Sequence, residues 1–419
     1  MKALIGKSKI SGKLTAPPSK SYTIRGLMCA ALADGKSRIL NPLISDDTEA
    51  ASEVLEQIGV GIRKNDDEWQ VKGDNFHKPT ADLFCRDSAA TLRFMTAISS
   101  LVPGRCCLVA GPSLARRPIE PLLAALAQLG VECRLKDKDV IVDGGRLAGG
   151  TAQLPGGVSS QFISALLLIS PLSKAGVTVR LTTPPRSKPY LEMTLDCMKK
   201  FGIEVQASKE LMQFDITPQK YKPAEYIIEG DWSSASYLLA LGAVSGEVEI
   251  TNLNRQGLQG DRIMLNLLEE MGAEVVTSGS SIIVRRSRLK AITADLADCI
   301  DLLPTLAMLA SVADGKSQFS GISRARLKES NRILALRDGL ERMDISVTEE
   351  EDSLTITGTQ PVGAAIDSFG DHRIAMAFSI LGSVTGDTTI NGAECVAKTY
   401  PDFWQTLKNL GGEVKLNVK

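Results

Sequence analysis

The chain has 419 residues, 43% of them hydrophobic and 23% charged, with a formal net charge of −1. That length suits two or three domains, and that balance describes an ordinary soluble globular protein. A net charge so close to zero argues against a general nucleic-acid or membrane-surface role, so any basic site must be a local concentration.

The opening MKALIGKSKISGK has no apolar core of signal-peptide length, and no later run approaches a membrane span, so a cytoplasmic protein is expected. Eight cysteines without CxxC spacing read as buried, reduced thiols. The two histidines, His77 and His372, cannot build a His-rich metal site. The first predicted helix follows PPSKSYTIR at 17–25. Its prolines hold the entering chain extended, and Ser19 or Ser21 can cap a helix running through GLMCAALA. That helix is small and apolar all round, so it should be buried on all sides. Lys20 and Arg25 add charge to the free N–H groups of its first turn, which makes an anion site.

The same plan returns along the chain. Helix stops of one apolar residue and Gly recur as QIGVGI, QLGVEC, KFGIEV, EMGAEV and NLGGEV, with Gly at 59, 130, 202, 272 and 411. A sixth stop, RMDISV, carries Asp344, a residue that tolerates the left-handed conformation. Glycines 35, 104, 176, 246, 315 and 386 keep the same beat, each between a small-residue helix and a β-rich run. The period is about 70 residues, and the unit reads as buried helix, strand, second helix and one or two strands. The last copy ends at VKLNVK without its second strand, which KALIGK at the other end could supply. One domain would therefore comprise residues 1–13 with 230–419, and an inserted domain residues 14–229, with three copies each. Two crossings between them would form a hinge over a cleft.

Two places in each unit are polar. Helix starts read PPSKSYTIR, CRDSAATLR, VSSQF, DWSSAS, CIDLLPT and GDHRIAM; loops include PSLARRPIE, TPPRSKPYLE, SRARLKESNR and VAKTYPDF. Together they hold Lys20, Arg25, Arg93, Arg117, Arg186, Lys188, Lys328, Arg332, Arg373 and Lys398. Equivalent copies would gather these cations with helix N-termini, a setting for small polyanions. ADGKS, at 33–37 and 313–317, lacks the earlier Gly of a phosphate loop and falls on the turn marker.

PSKSYTIR, SSQF, SKPYLEMTL, LKESNR, DHRIAMAF and KTYPDF together resemble the EPSP synthase family of enolpyruvyl transferases. The resemblance runs from about residue 5 to the C-terminus. It implies an α/β fold of two domains (an inside-out α/β barrel), three βαβαββ repeats in each, with the active site in the interdomain cleft. The implied partners are shikimate 3-phosphate and phosphoenolpyruvate, joined at the 5-hydroxyl with release of phosphate, by a monomer without metal or organic cofactor. Lys20, Ser21 and Arg25 would hold the shikimate ring substituents. Ser159, Ser160 and Ser187 would take its phosphate, helped by Lys328, with Gln161 and Tyr190 near the ring. Arg117, Arg332, Arg373 and Lys398 would grip phosphoenolpyruvate, where Lys20 and Gln161 also reach. Asp301 matches the proton acceptor for the 5-hydroxyl, and Glu329 the acid and base at the methylene carbon. Lys20 would stabilise oxygen charge in both steps.

This chain departs from the family at Asp87, Ala89 and Ala90, where a GN-(A/S)-G-T run is common beside the phosphoenolpyruvate pocket. The expectation is weak inhibition by glyphosate, checked by an inhibition curve at fixed phosphoenolpyruvate. Arg324 stands where many members have Asn, a further cation near the shikimate phosphate. The closest rival is the UDP-N-acetylglucosamine enolpyruvyl transferase, whose mobile loop usually carries Cys where PSLARRP has none. RNA 3′-phosphate cyclases share the repeat but need a His nucleophile, for which only His372 could serve. A binding module disabled at Asp87 or Ala90 is the non-enzymatic alternative.

Overall fold

A computed structural model describes residues 1–73 and 75–417, so Val418 and Lys419, the end of the VKLNVK run, lie outside the described residues. The chain divides into two compact units, Pro18–Glu229 (the inserted unit) and Met1–Pro17 with the chain from Gly230 onward (the terminal unit). The inserted unit holds α1 (Lys20–Leu32), α2 (Asp46–Gln57), α3 (Ala89–Ile98), α4 (Glu120–Gln128), α5 (Ser160–Ile169) and α6 (Lys188–Lys200). The terminal unit holds α7 (Trp232–Ser245), α8 (Met264–Glu270), α9 (Leu303–Ser311), α10 (Arg332–Arg342), α11 (His372–Thr385) and α12 (Phe403–Asn409). No helix among the described residues is long and apolar enough to cross a membrane.

Six four-stranded sheets share one topology. In four of them the strand before a buried helix runs parallel to the strand after it, around α1 and α7 the two such pairs exchange partners, and two further antiparallel strands complete every sheet. Gly150–Leu154 thus lies parallel to Val177–Leu181, which pairs antiparallel with Gln213–Ile216 and through it with Gln206–Ala207. Two sheets draw strands from far along the chain. Glu225–Ile227 closes the first sheet of the inserted unit against Lys36–Leu40. Ile10–Thr15 runs past residue 13 and pairs in parallel with Gly246–Thr251 in the terminal unit. The N-terminal strand Lys2–Ile5 takes the vacant place in the last copy, antiparallel to both Thr388–Asn391 and Val414–Asn417.

The helix stops explain the repeat. Gly59, Gly130, Gly202, Gly272 and Gly411 all have positive φ, and Asp344 joins them at φ 60°. Each donates its N–H to the carbonyl three residues back, from Gly59 to Glu56 (3.1 Å) through Asp344 to Glu341 (3.1 Å). The next N–H reaches five back, as Ile345 does to Leu340 (3.0 Å), which closes the left-handed cap. Gly246 is needed for a different reason. Its backbone is extended (φ 172°), but a Cβ there would collide with the Ile10 carbonyl of the parallel strand.

The alternate helices are buried because little on them needs water. All of α7 is buried. Hydroxyls inside these helices are satisfied by the preceding turn, as in Thr96 to the Leu92 carbonyl and Ser236 to the Ser233 carbonyl, both 2.7 Å. In the terminal unit α7, α9 and α11 form the centre of a single apolar core. α10 approaches α11 closely at Gly339, where any Cβ would strike the Phe378 ring. That approach sets Arg332, at the start of α10, against the starts of α9 and α11.

Candidate active site

In the inserted unit the site residues stand on helix starts. Ser19 caps α1, and the next residue, Lys20, ion-pairs with Asp47 at the start of α2 (2.8 Å), both largely shielded from water. Arg25 is buried one turn further on. Its Nε donates to Thr194 Oγ1 (2.8 Å), Nη1 to the Ser21 carbonyl (3.0 Å) and Nη2 to the Tyr190 carbonyl (3.2 Å). The guanidinium also lies over the Phe94 and Tyr190 rings, 5.5 and 5.6 Å from their centroids. These bonds tie α1 to α6. Arg25 thus serves the packing behind Ser21 and Tyr190 as much as it offers a charge.

Ser159 caps α5, followed by Ser160 and Gln161. Arg93 on α3 reaches this cap, donating from Nη1 to Gln161 Oε1 (2.7 Å) and Ser159 Oγ (3.2 Å), and from Nη2 to the Pro118 carbonyl (3.2 Å). It thereby holds α5 and the residue after Arg117 against one helix. Ser187, before α6, is buried and left-handed at φ 55°, an uncommon state for a non-glycine residue. Tyr190 N donates to its carbonyl (3.1 Å).

Asp87 does something its sequence position did not reveal. One oxygen, Oδ1, accepts from Ser113 N (3.1 Å), Ser113 Oγ (2.8 Å) and Leu114 N (3.0 Å). The carboxylate therefore anchors the loop that leads to Arg117. A Cβ at Gly111 would sit 2.7 Å from that oxygen, so the loop closes on Asp87 only with glycine there. Ala89 begins α3 as a buried residue, and Ala90 follows half-buried.

In the terminal unit the starts of α9, α10 and α11 meet in a charge cluster. Arg332, 1% exposed, is its hub. Nη1 donates to Asp301 Oδ1 (2.8 Å), Nε to Asp371 Oδ2 (2.8 Å), and Nη2 to Glu329 Oε2 (2.6 Å) and Asp371 Oδ1 (3.3 Å). Asp371 caps α11 through Arg373 N (2.9 Å) and also accepts from Ser330 Oγ (3.0 Å). Lys328 Nζ lies 3.3 Å from Asp301 Oδ1, and Arg373 Nε 3.5 Å from the same oxygen. Arg373 Nη1 makes long contacts with Tyr237 Oη (3.5 Å) and the Asp301 carbonyl (3.4 Å). Lys398 Nζ donates to the Gly370 carbonyl (3.3 Å), and Arg324 Nη2 to the Ala297 carbonyl (2.6 Å).

Electrostatics follows from this crowding. Burial pushes the Asp301 carboxyl up, but Arg373, Lys328 and Arg332 outweigh it and hold it well below the usual carboxylate range. Burial pulls the Lys328 ammonium down to about 8, with Asp301 opposing the fall. Asp301 is thus an ionised acceptor at neutral pH, and Lys328 a cation that can lose its proton just above it. All eight cysteines are free; Cys85 and Cys107, whose thiols burial pushes up, are poor nucleophiles.

Two groups with structural parts in this arrangement received no role from sequence. Asp47 and Asp371 act through side-chain partners remote in the chain, and Arg93, expected among the anion-binding cations, bonds to Gln161 and Ser159. Asp371 had one usable signal, since GDHR repeats the GDWSS pattern in which Asp231 caps α7 through Ser234 N (2.7 Å).

Six βαβαββ units in two compact bodies, with cation-rich helix starts in each, define the enolpyruvyl-transferase class of α/β fold. The comparisons agree. A profile of EPSP synthase (3-phosphoshikimate 1-carboxyvinyltransferase) matches residues 4–407. A 3-phosphoshikimate 1-carboxyvinyltransferase of Dehalococcoides mccartyi is 51% identical, with all of both chains covered. One from Methanocaldococcus jannaschii is 38% identical over 97% of each chain. A solved EPSP synthase from Acinetobacter baumannii superposes with a TM-score of 0.84 at 26% identity, covering 99% of this chain and 100% of that one. The chain belongs to the EPSP synthase family.

Proposed function

We propose that the chain transfers the enolpyruvyl group of phosphoenolpyruvate to the 5-hydroxyl of shikimate 3-phosphate, releasing phosphate. The supporting observation is the cluster around Arg332, which ties an ionised acceptor, Asp301, and a second carboxylate, Glu329, to one guanidinium. The reaction needs that pair. In the addition step the 5-hydroxyl oxygen bonds to C2 of phosphoenolpyruvate, its proton passing to Asp301, while Glu329, having first taken up a proton from solvent, gives it to C3. In the elimination step C3 returns a proton and the C2–O bond to phosphate breaks. Both steps load negative charge onto oxygens, which Lys20, Lys328 and Lys398 would stabilise.

The low proton affinity of Asp301 in the unliganded protein fits this scheme. Arg373 and Lys328 depress it, and both are proposed to bind substrate anions. Substrate arrival would draw their charge outward and leave Asp301 a stronger base when the hydroxyl is in place. Ser159, Ser160 and Ser187, on or beside helix starts, are proposed to hold the shikimate phosphate together with Arg324 and Lys328. Ser21, Arg25, Gln161, Tyr190 and Asp301 would bind the ring. Arg117, Arg332, Arg373 and Lys398 would hold phosphoenolpyruvate, with Lys20, Asp87, Ala89, Ala90 and Gln161 lining its pocket. Arg332, already shared among three carboxylates, would act chiefly by keeping Asp301 and Glu329 in place. The protein would work as a cytoplasmic monomer, checked by light scattering of the purified chain.

The test is phosphate release with phosphoenolpyruvate and either shikimate 3-phosphate or UDP-N-acetylglucosamine as acceptor. Release that requires shikimate 3-phosphate is expected. Release with the nucleotide sugar alone would move the chain to the rival activity.

A pH prediction follows from Lys328. Only its protonated form attracts phosphate, so kcat/KM for shikimate 3-phosphate should fall as pH rises through about 8. Lys328→Arg keeps the charge, and its alkaline limb should move up by more than a pH unit or vanish. An unchanged limb in the variant would assign the titration to another group.

A further inference from the structure

Lys328 and Glu329 sit in a short segment, 328–331, between the 3-10 turn Ser323–Leu327 and α10. The residue before it, Leu327, is 53% exposed, so apolar burial does not seat that end. A carboxylate from outside the segment reaches both flanks. Glu349 ends the strand Ser346–Glu349 and pairs across a hairpin with Leu354, which is fully buried. The strand end is therefore rooted in the core. Glu349 Oε1 accepts from Arg326 Nη1, before the segment, and Oε2 accepts from Arg337 Nη1 (2.8 Å), after it. Arg326 Nη2 donates further to the Glu350 carbonyl (2.8 Å) and, at 3.4 Å, to that of Glu351. Ser323 N adds a bond to Asp352 Oδ1 (2.6 Å) in the same hairpin turn, and Arg337 Nη2 donates to Asp338 Oδ1 (3.1 Å) on its own helix.

The side chains of Glu349, Arg326 and Arg337 are 17%, 29% and 35% exposed. Ion pairs that open to water add little to stability. What these pairs supply is a fixed gap: each oxygen of one carboxylate holds one flank of the segment. Across that gap Lys328 reaches Asp301 (3.3 Å) and Glu329 reaches Arg332 (2.6 Å). We propose that Glu349 is a positioning residue for Lys328 and Glu329, acting through Arg326 and Arg337. The inference rests on the reading of Lys328 as a ligand of the shikimate phosphate and of Glu329 as the proton carrier at C3.

Glu349→Gln keeps the shape but turns an amide N–H donor toward one of the two guanidinium groups. Deuterium uptake of the unliganded protein should then rise over 323–331 and stay level in the sheets of the terminal unit, with the urea midpoint nearly unmoved. Misplacing a reacting group by about 1 Å can cost 10²-fold in rate, so kcat should fall about 10- to 100-fold. KM for shikimate 3-phosphate should rise about five-fold or more, and KM for phosphoenolpyruvate should stay within about two-fold. The second stays because Arg117, Arg373 and Lys398 stand on other segments. A residue that served stability alone would lower the urea midpoint and the amount of active enzyme while leaving both KM values in place. Unchanged uptake over 323–331, or kinetic constants all within about two-fold of the wild type, would overturn the inference. Absence of turnover of shikimate 3-phosphate by the wild type would instead overturn the proposed reaction, and deuterium uptake would still decide whether Glu349 positions the segment. Should Glu349→Gln fail to fold, Arg337→Met carries the test from the surface of α10. It releases one flank, so the same split between the two KM values should appear at smaller size, and an unmoved KM for shikimate 3-phosphate counts against the proposal.

Discussion

Asp301→Asn is expected to lower kcat by about 10²- to 10⁴-fold, the range for loss of a positioned acid or base. The swap preserves shape and removes charge and basicity. Its effect on binding should run the other way. Lys328, Arg332 and Arg373 all lie within 3.5 Å of Asp301 Oδ1, and without that carboxylate their charge is freed for substrate anions. KM for phosphoenolpyruvate should therefore hold steady or fall while kcat collapses. Steady-state kinetics with both substrates varied would separate the two constants. A kcat within ten-fold of the parent would remove Asp301 from the reaction, and a large rise in KM would make it a binding group.

The largest stability effect should come from Arg332→Met. The side chains of Arg332 and Asp371 are at most 1% exposed, those of Asp301 and Glu329 10% and 14%. Methionine fills much of the volume but leaves two buried carboxylates, Asp301 and Asp371, and the partly buried Glu329 facing one another. Breaking a buried pair from one side costs about 3–5 kcal/mol, more than surface pairs ever contribute. The loss should appear in urea unfolding of the terminal unit. It should also shrink as pH is lowered from about 7 to 5. Without the guanidinium the carboxyl groups bind protons more tightly folded than unfolded, so protonation relieves the repulsion. Arg332→Lys should recover only part of the loss, since an ammonium cannot span three carboxylates as a fork does. A change below about 1 kcal/mol in the methionine variant would mean that water or a shifted cation already screens the cluster.

The repeat was legible because its causes are local. A left-handed residue must end each second helix, and Asp344 could be recognised as the sixth such residue from its type alone. The vacant strand place in the last copy was legible by counting, since a βαβαββ unit ending at one strand needs another, and Lys2–Ile5 alternates exposed and buried residues as that place demands. Gly246 fell on the same beat for a reason that only the parallel neighbour Ile10–Thr15 explains.

The sequence by itself determined the six-part plan, the helix starts that carry charge, and the residue types available for anion binding and proton transfer. Tertiary structure decided how those charges are divided. Arg25 and Arg332 look alike in sequence, each a cation near a helix start, yet one is spent on a hydroxyl and two carbonyls and the other on three carboxylates. Asp87 stood out in the sequence only as a departure from the family run, and packing makes its carboxylate the anchor of the loop that leads to Arg117. The physical reason is range. Helix caps and strand alternation depend on neighbours a few residues away, whereas the protonation and grip of a buried ion depend on partners such as Arg332 and Asp371, 39 residues apart, which only packing brings together.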